Sequence, residues 1–418
     1  MRASSFLATT LTLALSWTAA GSGSQSAATP RAVVLRTNPR ISDVRLEVEL
    51  FQQASTLGRN PTVTVNGTTS QRVDVSTTPV YTASGVTLGI PVLVRTSWCD
   101  TDFTKATARA LVDGVDTNPD LSKIFVRSAG SAEALLKYEV PFSRGVANNV
   151  LIRTTYQTQR WEVQVDERAA GTSTWPRAWP SGTERFVKAE PGINPALPAI
   201  KTMAEGATRG GFRSVSPYLA AKNAVLAITK AWRSGNTATS IYGQKGALRG
   251  INFTADGTAW GLEAGGGTPV ELAATCVAGV RALGIPSRVV YCLTERSRRK
   301  SNDKGTSVEF RFVCEFFLPD IGWIPFDPMI IRENLASNPT TDAVKGFAQV
   351  PDLQDAIPLA YRTLPEGYAQ ADRYALWGWN GSVIVEADRA VTRIGFEDSS
   401  RGNGTTPQMP APVSDEAP

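Results

Sequence analysis

The stretch from Gly267 to Pro328 most constrains this chain. It opens with Gly267-Thr268-Pro269-Val270-Glu271-Leu272-Ala273 and passes through Arg281-Ala282-Leu283-Gly284-Ile285-Pro286-Ser287-Arg288. It closes on Cys314-Glu315-Phe316-Phe317-Leu318-Pro319 and Gly322-Trp323-Ile324-Pro325-Phe326-Asp327-Pro328. The order reads as one helix followed by three strands. Thr268 is a good N-cap, Pro269 suits a first helical turn where its missing N–H costs nothing, and Glu271 completes a capping box. Such a cap contributes about 1 kcal/mol. In the strand near its end, Phe310, Phe312, Cys314 and Phe316 share one side. Glu309, Arg311, Val313, Glu315 and Phe317 share the other.

The residues before this stretch follow a different period. Val44, Leu46, Val48 and Leu50 alternate with Arg45, Glu47 and Glu49, the signal of a half-buried strand. Val33-Val34-Leu35, Thr62 to Val65, Val73 to Val75, Val86 to Val94, Ile124 to Val126, Leu135 to Val140, Val150 to Tyr156 and Trp161 to Val165 continue the series. Asn66-Gly67 favours a tight hairpin turn. Ala106 to Val115 reads as a helix or loop insertion. Short strands separated by turn residues predict a sandwich or barrel. Two Trp-Pro pairs in Trp175-Pro176-Arg177-Ala178-Trp179-Pro180 break the pattern, since proline fits neither a helix interior nor a central strand. The tryptophans are expected to plug a seam between domains; a carbohydrate platform is the alternative. Helical spacing follows in Ala199 to Gly206 and from Ser216-Pro217 to Trp232.

The fold class is therefore α+β, a β-rich sandwich-like N-terminal domain followed by a helix-and-strand domain. The boundaries are 1–20 signal peptide, 21–32 linker, 33–174 β-rich domain, 175–345 second domain, 346–396 C-terminal extension and 397–418 disordered tail. The signal reading rests on Arg2, the short apolar run from Leu7 to Trp17, and small residues near Ala20. It implies a periplasmic or secreted protein with no stable membrane insertion once the signal is removed.

Among 418 residues there is no histidine. This excludes a Cys-His pair, a Ser-His-Asp triad, a histidine-ligated metal and a histidine pH switch. A net charge of +5 over this length argues for no nucleic-acid partner. No metal or other cofactor is expected. Four cysteines, Cys99, Cys276, Cys292 and Cys314, could make two disulfides. Each sits among apolar residues, the usual setting of a buried thiol. If one pair forms, Cys292 with Cys314 on neighbouring strands is the expected one. Glu295 to Lys304 is a basic run that reads as a solvated loop.

The runs Gly284-Ile285-Pro286-Ser287-Arg288 and Gly322-Trp323-Ile324-Pro325-Phe326-Asp327-Pro328 together resemble the transglutaminase-like superfamily, whose fold is that of papain-like cysteine enzymes. The resemblance spans the residues from near Phe186 to Pro328. It implies a Cys at a helix N-terminus, where the dipole lowers its pKa, a His on a strand as base, and an Asp orienting the His. Counting back from Gly284 by the family spacing places Pro269 at the Cys position. Counting back from Glu315 and from Asp327 both place Arg311 at the His position. Asp327 is retained. Two of three catalytic positions are thus substituted. Arginine stays protonated and cannot serve as a base, but it can pair with a carboxylate, and Asp327 is the expected partner. Cys276 lies two turns, about 10 Å, beyond Pro269 on the same helix and reads as a core residue.

The expected function is that of an exported, non-catalytic transglutaminase-like protein binding or scaffolding a protein or peptide of the cell envelope or exterior. Thr268, Glu271 and Glu315 would line its cleft. One alternative is an enzyme of amide or acyl chemistry with a non-standard site, using Glu271 or Glu315 with Arg311. A second is a carbohydrate-binding module.

Overall fold

The computed structural model describes residues 33–51, 62–65, 68–71, 85–117, 125–127, 131–142, 147, 149–209, 211–234, 262, 266–297, 306–337, 344–362, 368, 370–371, 377–381 and 390–398. The signal and linker readings (1–32), the strand at Val73 to Val75, most of the basic loop and residues 399–418 of the tail lie outside them.

The strands of the first half are β1 (Val34–Phe51), β2 (Thr62–Val65), β3 (Thr68–Gln71), β4 (Gly85–Leu93), β5 (Cys99–Val112), β6 (Val115–Asp116), β7 (Phe125–Arg127), β8 (Glu133–Pro141) and β9 (Asn149–Val165). A one-turn helix, α1 (Glu167–Ala170), follows, then α2 (Pro198–Ala207), α3 (Pro217–Ala231) and the short β10 (Arg233–Ser234) and β11 (Gly266–Gly267). The second half holds α4 (Pro269–Ala282), β12 (Ser287–Ser297), β13 (Thr306–Leu318), β14 (Gly322–Phe326) and α5 (Pro328–Ser337). It ends with β15 (Ala356–Ala360), β16 (Gln370–Ala371), β17 (Gly378–Gly381) and β18 (Ala390–Asp398).

Two five-stranded sheets, β18-β1-β9-β5-β6 and β16-β17-β4-β8-β7, make the β-rich part. The alternation read in β1 buries Val44, Leu46, Val48 and Leu50. They join one core with Val86, Leu88 and Ile90 of β4 and Leu136, Tyr138 and Val140 of β8. The Tyr138 hydroxyl on one sheet meets the Thr154 hydroxyl on the other at 2.5 Å. β2 and β3 pair with Val65 opposite Thr68, the register that a two-residue Asn-Gly connection requires.

Three sequence expectations need correction. Ala106 to Val115 is neither helix nor loop: most of it lies in β5, paired to β9. A register shift between Asp102 and Thr107 disguises the strand period. Val150 to Tyr156 and Trp161 to Val165 are one strand, β9, in which Arg160 and Trp161 are both buried and reset the alternation. Glu397 and Asp398, expected in the tail, belong to β18 and pair with Asp43 and Ser42.

The second sheet system runs β14-β13-β12-β15, all antiparallel. Helix α4 lies against it and against α3. The two helices approach closely at Gly279, where an added Cβ would stand 2.3 Å from Ile228 Cδ1. α4 ends at Gly284, whose φ of 76° is the left-handed conformation glycine supplies at helix ends. The Ile285-Pro286 step then feeds β12. Of the stretch 346–396, β15 joins this sheet, while β16, β17 and β18 return to the β-rich sheets. Among the described residues, no helix is long and apolar enough to cross a membrane.

Candidate functional site

Helix α4 begins as its sequence requires. The Glu271 carboxylate folds back so that Oε2 accepts the Thr268 N–H at 2.5 Å and the Thr268 hydroxyl at 2.7 Å. Glu271 is fully buried. A Cβ on Gly267 would stand 2.4 Å from that oxygen and 3.2 Å from Trp232 Cζ2, so this glycine makes room for the clasp. Pro269, at the position the family resemblance gives to a nucleophile, is an exposed ring.

Arg311 stands on β13 opposite Cys292. Its Nε donates to Asp327 Oδ2 at 3.0 Å, forming the ion pair read from the sequence. Its terminal nitrogens donate to the carbonyls of Asp352 at 2.8 Å and Pro351 at 2.9 Å. Asp327 follows β14 and heads α5. Its Oδ1 accepts the N–H groups of Met329 at 3.0 Å and Ile330 at 3.2 Å. One carboxylate thus caps a helix and fixes a guanidinium, each favoured by its charge.

Glu315 occupies different surroundings. Its Oε2 accepts Arg288 Nε at 2.8 Å and its Oε1 accepts the Ser97 N–H at 2.9 Å. Both side chains of this pair are enclosed, 1% and 0% exposed. The Arg288 guanidinium is sandwiched 3.6 Å from the Trp323 ring centre and 3.7 Å from that of Tyr361. Two further bonds cross from the same β-rich segment: Tyr361 donates to Arg95 O at 2.8 Å, and Trp98 Nε1 to Ala356 O at 3.3 Å. Thr268 and Glu271 meet each other, and Arg311 meets Asp327. Glu315 instead faces the β-rich sheets, which cover that side of β13 where a cleft was expected. Pairing Arg288 opposite Glu315 follows from the hairpin register. Nothing local in the sequence marks Ser97, Arg95 or Tyr361.

All four cysteines are free and buried. Cys292 and Cys314 cannot bridge. Cys292 lies opposite Arg311 and Cys314 opposite Val289, so the thiols sit three positions apart on opposite faces of the sheet. Cys314 instead donates toward the Ala273 carbonyl on α4. Burial pushes the Cys99 thiol up to about 12 and those of Cys276, Cys292 and Cys314 well above their ordinary range. Trp175 and Trp179 are half-buried and edge-to-face, at 6.5 Å. Their indole N–H groups donate inward, to Val215 O and Gly284 O, each at 2.8 Å. Among the described residues, no cluster of three or more acidic or cysteine side chains is arranged to hold a metal.

Residues 222–328 match the family model of the transglutaminase-like superfamily. No curated protein matches the sequence. Among solved structures, a candidate cysteine protease from Cytophaga hutchinsonii is similar at 12% identity and a TM-score of 0.46, over 90% of this chain and 96% of that one. The periplasmic domain of TgpA from Pseudomonas aeruginosa is similar at 12% identity and a TM-score of 0.30, over 72% and 88%. The helix, Gly-Ile-Pro turn and strands of the candidate site thus lie within the part of the chain that is similar to the transglutaminase-like superfamily.

Proposed function

We propose that this protein is a non-catalytic transglutaminase-like protein that binds or scaffolds a protein or peptide of the cell envelope or exterior. The observation that carries the reading is the engagement of Arg311. Asp327 holds its Nε, and the Pro351 and Asp352 carbonyls hold its terminal nitrogens. A guanidinium stays protonated and cannot take a proton from a nucleophile. At the start of α4, Pro269 offers no nucleophilic atom. The thiols are buried and pushed toward the protonated form, the opposite of an activated thiolate. Recognition needs only a stable surface, which this framework provides. Export is part of the proposal and rests on the charged start and apolar run of residues 1–20.

The alternative of amide or acyl chemistry is disfavoured because Glu271 is committed to Thr268 and Glu315 to Arg288. A carbohydrate platform is disfavoured because the Trp175 and Trp179 N–H groups are used internally. The test combines two measurements on the purified protein. One is amine incorporation into a glutamine peptide together with peptide hydrolysis; the other is iodoacetamide labelling with and without denaturant. No turnover is expected, and no thiol should label until the protein is unfolded. Turnover that disappears in Arg311→Ala or Cys276→Ser, or native labelling of a single thiol, overturns the reading.

A further inference from the structure

We infer that the surface around Trp175 and Trp179 docks an extended, proline-rich protein segment that carries acidic side chains. The inference deepens the binding reading above and rests on it. Trp175, Trp179 and Phe212 are each half-buried. Ring centres lie 5.7 Å apart for Trp175 and Phe212, 6.5 Å for Trp175 and Trp179, and 6.4 Å for Trp179 and Phe317. The two indole N–H groups are held by Val215 O and Gly284 O. All of these partners belong to the second domain, so none of these contacts draws the β-rich sheets over the rings. With both N–H groups turned inward, the rings present carbon to a ligand.

Ring geometry narrows the class. Consecutive rings meet at 69°, 68° and 79°, each edge to face. Rings set this way share no plane, so they make no flat platform for a row of sugar rings. They stand as walls, and a pyrrolidine ring is an apolar body that fits beside them. Polyproline segments dock on aromatic-lined grooves in this manner and lose little entropy, because they are already extended. The receiving surface is set beforehand by the inward N–H bonds and by Pro176 and Pro180, whose φ is fixed.

Charge selects the rest of the ligand. Residues 171–183 and 208–216 contribute Arg177, Arg209 and Arg213 and no acidic residue; Glu184 and Glu205 lie just outside the two segments. All three arginines are exposed, and among the described residues none of them forms an ion pair. The Arg213 guanidinium lies 5.6 Å from the centre of the Trp175 ring, and Arg177 stands between the two tryptophans in sequence. A carboxylate on the docked segment can therefore pair with a guanidinium beside the ring that holds a proline.

Fluorescence anisotropy of labelled peptides with the full-length protein tests this. The probes are a dodecapeptide repeat of Pro-Pro-Glu, the same repeat with Gln for Glu, and the same with Ala for Pro. Labelled oligogalacturonate serves as an acidic carbohydrate. The Pro-Pro-Glu peptide is expected to bind with Kd on the order of 100 μM at low salt, and the other two peptides about fivefold more weakly or less. Arg177→Gln combined with Arg213→Gln should weaken the Pro-Pro-Glu peptide about fivefold and leave both the Gln peptide and the melting temperature unchanged, because these side chains are exposed and unpaired. The inference is overturned if the Glu and Gln peptides bind alike, if the Ala peptide binds as tightly as the Pro-Pro-Glu peptide, or if the double variant binds like the wild type. Binding of oligogalacturonate without binding of any peptide also overturns it. Each of these results leaves the non-catalytic reading standing, since that reading fails on turnover or native thiol labelling instead.

Discussion

Two arginine–carboxylate partnerships involve one face of β13. Arg311 joins Asp327 in less complete enclosure, with side chains 15% and 4% exposed. Glu315, further along that face, joins Arg288 in full enclosure. The first pair is closed by the start of α5 and by the carbonyls of Pro351 and Asp352, just ahead of β15 of the same sheet. The second is completed by Ser97, distant in sequence and part of the β-rich region. Identical chemistry therefore does two jobs. One pair occupies the position where the family resemblance places a base; the other fastens the β-rich sheets onto the helix-bearing sheet. The surroundings decide the role, because a charge removed from water depends on its partner far more than one that is partly exposed.

Substitutions break this comparison in a definite order. Glu315→Ala leaves Arg288 buried without its carboxylate and the Ser97 N–H without an acceptor, and should cost about 3–5 kcal/mol in urea unfolding. Replacing both partners, Arg288→Met with Glu315→Leu, should recover much of that loss, since two apolar groups leave no orphaned charge. Asp327→Ala removes the Arg311 pair and the α5 cap together and should cost about 2–3 kcal/mol. Asp327→Asn keeps a cap acceptor and should cost less. If Asp327→Ala proves more damaging than Glu315→Ala, the ranking by enclosure is wrong. Thr268→Ala loosens the α4 clasp by about 1 kcal/mol. Lys137→Ala, at the exposed Lys137–Glu139 pair on β8, should leave the melting temperature unchanged.

What the residues disclosed follows the same division. The capping residues of α4, the Gly284 turn, the alternation in β1 and the Arg311–Asp327 pair are local or motif-bound, and all were readable. β5 was misread because its bulge breaks the two-residue period and its alanines favour a helix. The Arg288–Glu315–Ser97 cluster was only half visible. The motif names Arg288 and Glu315, but the sheet that buries them comes from a region whose approach no local pattern encodes. The same blind spot placed Glu315 in a cleft, when the seam covers it. The proline context of the tryptophans at 175 and 179 suggests a seam between domains; their inward N–H bonds go to Val215 and Gly284, both within the second domain.

The pairing of β1 with β18 has a consequence for how the protein is made. Residues 42–50 find their partners at 390–398, so the first sheet keeps an unmatched edge until the last strand has been synthesised. Pairings this distant in sequence are slow to form. The β-rich half therefore cannot finish folding as a nascent fragment. Any interruption of synthesis before residue 390 leaves the β1 edge open to strands of other molecules.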